Sequence, residues 1–141
     1  MADFRLPTKL RLTLVTAELK LLELEVDEVV LPGFNGQLGI LPGHTPLLAV
    51  LRIGEMSYRE AGRQNLLVVA GGFAEVLPDR VIVLAEAAYR AEDIDRSEAE
   101  RMRVDAEREL VSLSSDDEGF ALAQARLEES LARTQVASRK E

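Results

Sequence analysis

The residues best suited to chemistry lie within residues 31–48, which contain the only histidine, His44, three of the five prolines and four of the nine glycines. Glycine-rich segments bind phosphate in two common arrangements. A P-loop requires Gly-Lys-Ser/Thr after its glycines, and no such sequence follows here. A dinucleotide fingerprint must open a helix, which Pro42 and Pro46 prevent. The segment instead predicts a turn, a short strand over residues 37–41, a second turn and an apolar strand.

The remaining polar residues form no recognisable catalytic set. His44 has no second histidine or cysteine with which to hold zinc. It is either a turn residue bonded to nearby backbone or a contact residue on a loop tip. Ser114 and Ser115 are not part of a Gly-x-Ser-x-Gly elbow. The acidic residues 116–118 lack the spacing of a calcium loop and are typical of a helix N-terminus. The sequence therefore predicts no catalytic group, cofactor or metal.

Composition narrows the classes of partner. The 141 residues carry a net charge of −8, which disfavours nucleic acid and an anionic membrane surface as direct partners. The longest nearly apolar run, residues 66–74, is far shorter than the roughly 20 residues that span a bilayer. The N-terminus shows no signal-peptide pattern, and there is no cysteine. We expect any membrane association to occur through other proteins.

Residues 1–88 predict an antiparallel β-sandwich or barrel of about ten short strands. Alternating apolar and polar residues at 10–14 and 22–26 give each strand one buried face. Turn sequences at 60–63 and 77–80 have hairpin length, and Gly71-Gly72 suggests a bulge or sharp bend. Residues 47–51 and 66–70 are apolar on both faces, so they are either central in the core or covered by a partner.

Residues 89–141 predict an antiparallel hairpin of two helices. Apolar residues recur at helical spacing from Ala99 to Leu113 and again from Phe120 to Leu131. Asp95 or Ser97 has the capping-box spacing at the first helix, and Ser115 has it at the second. The facing residues are mostly alanine and leucine, so the apolar area that they bury is small. Its burial compensates poorly for the conformational entropy lost on ordering about 40 residues, at about 1–2 kcal/mol each. The hairpin must dock on the sandwich or open and dock on something else.

Residues 33–48 read Gly-x-x-Gly-x-Leu-Gly-Ile-Leu-Pro-Gly-His-x-Pro-Leu-Leu, and this string resembles the epsilon subunits of F-type ATP synthases. The resemblance continues at residues 70–76, 83–88 and 92–95. It implies a non-catalytic rotor subunit of the proton-transporting synthase. Its sandwich would bind the gamma subunit and the membrane c-ring, and its helical tail would reach the alpha/beta catalytic head and restrain ATP hydrolysis. The implied location is peripheral, at the cytoplasmic face of the bacterial plasma membrane.

The resemblance also implies residues for each contact. The ring-binding loop corresponds to residues 36–44, with Gly36, Gln37, Leu38 and His44 as its contact residues. Gln37 stands where an acidic residue is often found, which favours hydrogen-bonded and apolar contacts over charged ones. Contacts with the head would come from four cations of the second helix and the C-terminal end: Arg126, Arg133, Arg139 and Lys140.

Some members of that family bind ATP through Ile/Leu-Asp-x-x-Arg-Ala at the start of the first helix. Here Glu98 replaces the arginine, and its charge would repel a phosphate. Asp95, Arg126 and Arg133 remain as weak nucleotide candidates, and we expect weak or no ATP binding. The alternative to a rotor subunit is a free-standing β-sandwich binding module or small enzyme. Its hairpin would form dimers, and His44 would lie in a ligand pocket.

Overall fold

The computed structural model describes residues 5–139, which form eight strands, a short 3-10 helix and two α-helices. The strands are β1 (Leu10–Val15), β2 (Lys20–Val26), β3 (Glu28–Gly33), β4 (Gly36–Ile40), β5 (Leu47–Glu60), β6 (Arg63–Leu77), β7 (Arg80–Ala85) and β8 (Ala88–Arg90). The 3-10 helix is Ala91–Asp93, and the α-helices are α1 (Arg96–Ser112) and α2 (Phe120–Arg139). No helix in the described part of the chain is long and apolar enough to cross a membrane.

The strands form one sheet in the order β2-β1-β7-β6-β5-β3-β4, with β8 paired to β6. The sheet folds over itself because β6 belongs to both layers: its residues 67–69 pair with β8 and its residues 72–77 pair with β7. Most neighbours are antiparallel, as predicted, but β1 and β7 are parallel. A β-sandwich followed by a helical hairpin is therefore confirmed as the fold class.

The number of strands is eight rather than about ten, because β5 and β6 are continuous over 14 and 15 residues. Each of these strands contains glycine in its interior, Gly54 in β5 and Gly71-Gly72 in β6. The pairing of Leu51 with Gly72 and of Ile53 with Ala70 keeps one register across the interruption. Gly71 and Gly72 have φ values of +85° and +127°, so this is a sharp bend without an inserted residue.

The core between the layers is aliphatic, as the aromatic content of 4% requires. Leu10, Leu12 and Leu14 of β1 are fully buried and belong to one apolar cluster with side chains from the other seven strands. Each such leucine contributes about 1.5–3 kcal/mol through burial. The sandwich thus has a substantial core made entirely from residues that precede the helices.

The first helix begins where one of the two predicted caps lies. The Asp95 carboxylate accepts hydrogen bonds from the backbone N–H groups of Ser97 at 2.9 Å and Glu98 at 3.3 Å. Two orphan amides of the first turn are satisfied in this way. Of the two capping-box alternatives, Asp95 is therefore the one used.

The predicted start of the second helix is wrong, because α2 begins at Phe120 and not near Ser115. Asp117 instead closes a turn with Ser114. Its carboxylate accepts from the Ser114 N–H at 2.7 Å, and its own N–H donates to the Ser114 carbonyl at 3.0 Å. The predicted apolar stripe also fails at Leu131, which is 48% exposed, and the neighbouring Ser130 is buried in its place.

Candidate functional site

The segment singled out in the sequence forms β4 and the turns at its two ends. Gly36, with φ +136°, starts β4 after the Phe34-Asn35 turn, and Gly43, with φ +86°, lies in the turn that follows. The second turn is fixed by backbone hydrogen bonds from Gly43 to Pro78 at 2.7 Å and from His44 to Leu41 at 3.1 Å. The Gly/Pro pattern therefore predicts these two turns correctly.

His44 and Gln37 lie at opposite ends of β4, so the predicted contact residues form two groups. Gly36, Gln37 and Leu38 lie together at the first end, where Gly36 and Gln37 are exposed and Leu38 packs partly against the core. At the other end, His44 Nδ1–H donates to the Thr45 carbonyl at 2.6 Å. This bond agrees with the interpretation of His44 as a turn residue.

An apolar groove lies beside the first group. Residues 33–38 and 47–50 line a cavity of about 590 Å³, in which Phe34 and Leu48 are the most exposed large apolar side chains, at 67% and 71%. A hydrogen bond from the Phe34 N–H to the Val50 carbonyl at 2.8 Å fixes the β3–β4 turn against β5. His44 does not line this groove. The alternative hypothesis of a ligand pocket that contains His44 is therefore wrong for this cavity.

The groove continues into an apolar row that crosses three strands of the outer sheet face. Val50 pairs with Phe73, and Phe73 pairs with Leu84, so the three side chains are neighbours in the register. Each is about half exposed. We call the groove and this row together the apolar surface. Large contiguous apolar patches on soluble domains are typical of protein-binding sites.

Only part of this surface is predictable from the sequence. The two-sided apolar pattern of residues 47–51 allowed either central burial or cover by a partner, and the exposure of Leu48 and Val50 supports cover by a partner. Phe73 and Leu84 are not identifiable as members of this surface from the sequence, although Leu84 lies in the apolar run of residues 81–85. Only the pairing register brings them beside Val50.

The same sheet face becomes charged towards β1 and β2. Glu23 accepts hydrogen bonds from Lys20 and from Arg11, the latter at 2.7 Å, and these two cations lower its pKa to about 2. Lys9 donates to Asp27 and lowers the pKa of that carboxyl too. Charged side chains in ion pairs therefore flank the apolar surface on this side.

Three of the four cations predicted to contact the catalytic head already have partners within the chain. Arg126 lies 3.3 Å from Glu109 of α1, and Arg133 lies 3.3 Å from Glu129 and stacks 3.8 Å from the centre of the Tyr89 ring. Arg139 contacts both carboxylate oxygens of Glu55. Lys140 lies outside the described residues. The three arginines are spread along α2 and do not converge on one point.

The weak nucleotide candidates are not assembled into a site. Asp95 uses its carboxylate as a helix cap, and Arg133 lies against the sandwich. A cleft of about 620 Å³ between the helices is lined by Arg101 and Arg126, but also by the carboxylates of Glu98, Asp105 and Glu109. Such a mixed lining is poorly suited to a polyphosphate. Among residues 5–139, no group of three or more His, Cys, Asp or Glu side chains could hold a metal ion.

Comparison with known proteins gives one consistent relationship. Residues 9–91 match the family model described as "ATP synthase, Delta/Epsilon chain, beta-sandwich domain". The chain is 44% identical to "ATP synthase epsilon chain 2" of Syntrophotalea carbinolica over 131 residues, covering 93% of this chain and 95% of the relative. It is 42% identical, with the same coverage, to the "ATP synthase epsilon chain" of Citrifermentans bemidjiense.

Solved structures agree in fold. A chain of the Euglena gracilis mitochondrial ATP synthase, in a structure containing OSCP, F1 and the c-ring, superposes with a TM-score of 0.83 at 23% identity. The match covers 97% of this chain and 86% of that chain. A chain from the central stalk and c-ring of the Tetrahymena thermophila mitochondrial enzyme gives a TM-score of 0.60 at 15% identity.

Proposed function

The chain belongs to the family of ATP synthase epsilon chains, which are non-catalytic subunits, and we propose that it couples rotation of the membrane c-ring to the gamma subunit and catalytic head. Proton flow through the ring would produce torque, and the sandwich would transmit it to the stalk. The subunit is part of a membrane-associated complex. We infer that it is peripheral and lies at the cytoplasmic face of the bacterial plasma membrane.

The observation that carries the coupling role is the apolar surface. A rotor part must stay attached under load, and permanent interfaces are more apolar than transient ones. The row Val50, Phe73 and Leu84 is a sheet face, suited to a long contact with the gamma subunit. The groove with Phe34 and Gln37 lies at a loop end, suited to contact with the ring.

The test is to place charges on this surface. Leu38 packs on the core, so we choose the more exposed Phe34 and Leu48 for replacement. Phe34→Asp with Leu48→Asp should weaken retention of the chain on the complex and lower proton-driven ATP synthesis, because buried carboxylates would lose their hydration. The isolated double variant should keep the free energy of unfolding of the parent chain.

Leu19→Asp is the matched control, since Leu19 is 51% exposed in the β1–β2 turn and does not line the groove. The control should leave ATP synthesis unchanged. Full synthesis in the Phe34/Leu48 double variant would refute the proposed role of the apolar surface. Adding His44→Asp to the double variant tests whether the turn after β4 also contributes to the contact with the ring.

We propose in addition that the helical tail restrains ATP hydrolysis. At 1.5 Å per residue, the 17 residues of α1 and the 20 of α2 span about 26 and 30 Å, so straightened helices would reach about 55 Å along the stalk. Their small seam supports this idea, because its buried members are Ala99, Ala106, Ala123 and Ser130. A partner at the head could therefore shift the population of folded and extended tails.

A further inference from the structure

A carboxylate, that of Glu75 on β6, lies within the apolar surface. Glu75 is exposed on the outer sheet face, where it pairs with Leu48 of β5 on one side and with Ile82 of β7 on the other. Side chains directly opposite on neighbouring strands have Cβ atoms about 4.5–5.5 Å apart. Along β6, Phe73 and Leu77 lie two residues before and two residues after Glu75, and so belong to the same face. Apolar side chains therefore surround Glu75 on four sides.

Glu75 has no cation beside it in the described part of the chain. Within residues 5–139, its side chain makes no hydrogen bond or ion pair. Arg80 is diagonally opposite on β7, but its guanidinium lies 3.9 Å from Asp79 instead. Glu23, on β2 of the same sheet face, is by contrast paired with Arg11 at 2.7 Å. In the free chain, the charge of Glu75 is therefore stabilised by water.

Covering the apolar surface would remove this water. An unpaired carboxylate in a dry interface is strongly disfavoured, whereas a carboxylate that meets a cation makes the contact specific. We propose that Glu75 is the specificity-determining residue of the apolar surface, and that the gamma-subunit surface covering it carries an arginine or lysine opposite Glu75, set among apolar side chains. The choice of the gamma subunit as occupant rests on the proposed coupling role. The net charge of −8 also favours a cationic partner surface.

This arrangement gives the charged and the apolar side chains different tasks. The apolar side chains supply most of the buried area, and they tolerate small lateral shifts of a partner. A cation can meet Glu75 at only one lateral position, between Leu48 and Ile82. A protein surface that lacks the cation must bury an unpaired carboxylate, so it is rejected. Glu75 thus selects the partner and fixes its position on the sheet.

Competition between two chains for one complex measures the contribution of Glu75. The ATP synthase complex, depleted of this subunit, is mixed with equal amounts of the parent chain and one variant, and mass spectrometry gives the bound ratio. Glu75→Gln should bind at least about thirty-fold more weakly than the parent, because the cation opposite would be left buried without a partner. Glu25→Gln is the matched control, an exposed glutamate on β2 that pairs with Arg11 in the register, and it should bind like the parent.

Glu75→Leu gives results of opposite sign for a charged and for an apolar partner surface. With a cation opposite position 75, this variant should bind at least as weakly as Glu75→Gln. With a wholly apolar partner it would bind more tightly than the parent, because it adds apolar area and removes a charge, and that result would overturn the proposal. Equal binding by the parent and both variants would overturn it too. Both variants should keep the urea midpoint of the parent, since Glu75 is exposed.

Two further variants separate the role of Glu75 from its alternatives. Arg80→Gln should bind like the parent. If Arg80→Gln instead abolishes the effect of Glu75→Gln in the double variant, the carboxylate is paired within the chain and the proposal fails. Phe73→Asp tests whether the apolar surface is covered at all. Weaker binding by Phe73→Asp, but by neither Glu75 variant, would overturn only the role of Glu75. Equal binding by Phe73→Asp and the parent would refute the proposed gamma contact as well.

Discussion

At the scale of single residues, the bend in β6 depends on two glycines that the other amino acids could not replace without strain. Gly72 has a φ of +127°, and a Cβ placed there would lie 2.1 Å from the Leu84 carbonyl oxygen. The backbone before Gly72 is held, since the Glu86 N–H donates to the Gly71 carbonyl at 3.2 Å. The close approach of β6 and β7 therefore requires a residue without a side chain.

Gly72→Ala should lower the free energy of unfolding by at least about 3 kcal/mol, because it combines a disfavoured φ with a backbone clash. Urea denaturation of the isolated chain measures the loss. Gly39→Ala is the control, since no heavy atom lies within 4 Å of a Cβ at that position, and it should cost less than about 1 kcal/mol. A Gly72→Ala chain as stable as the control would contradict the account of the bend.

Local chemistry explains which residue assignments could be predicted. Asp95 was identifiable as a cap because its two bonds are made within three residues of the chain. Asp117 was misassigned because its carboxylate can close a turn or cap a helix, and nothing within that segment decides between them. Phe73 and Leu84 could not be identified as part of a binding surface, because their grouping with Val50 is created by the pairing of distant strands.

At the scale of elements, β5 and β6 connect the parts of the molecule, since both strands extend through the two layers. Val68 of β6 also packs with the end of α2. Their turns and apolar faces were predictable from short-range patterns. Their continuity was not, because a glycine in a strand pattern is compatible with a turn as well as a bend. The seam of the hairpin was predicted in position but not in every residue, as Leu131 shows.

The sandwich should fold without the helices, because every side chain of its main core lies between Leu10 and Ala88. A chain ending at Ala88 should give dispersed amide shifts by NMR. It should lose about 1.5–3 kcal/mol of stability if Val68 becomes exposed. Collapsed, undispersed shifts would show that residues 1–88 are not an independent folding unit. The same truncated chain in concentrated urea serves as the unfolded reference.

The hairpin should bind ATP with a dissociation constant near 1 mM or weaker. Glu98, Asp105 and Glu109 line the cleft between the helices, and Arg126 is already paired with Glu109. Isothermal titration calorimetry on the full chain decides the matter. A low-micromolar constant would mean about 4 kcal/mol more binding free energy than these charges allow. If repulsion between Glu98 and phosphate weakens ATP binding, Glu98→Arg should lower the dissociation constant.

At the scale of the whole molecule, the two parts differ in how firmly they are built. The sandwich has a large aliphatic core and an exposed apolar surface suited to permanent partners. The hairpin has a seam of small residues and is held at one end of α2, where Val136 packs with Val68 and Arg139 contacts Glu55. This division suits a rigid part that transmits torque and a tail that can leave its docking site.

We propose that the sandwich couples the complex while the tail restrains ATP hydrolysis. The most direct measurement is the rate of ATP hydrolysis by the assembled complex when this chain ends after Ala91. Co-purification of the shortened chain and preserved proton-driven ATP synthesis serve as controls for assembly. The account predicts that hydrolysis rises above that of the full-length complex while both controls hold. Unchanged hydrolysis in a correctly assembled complex would contradict it.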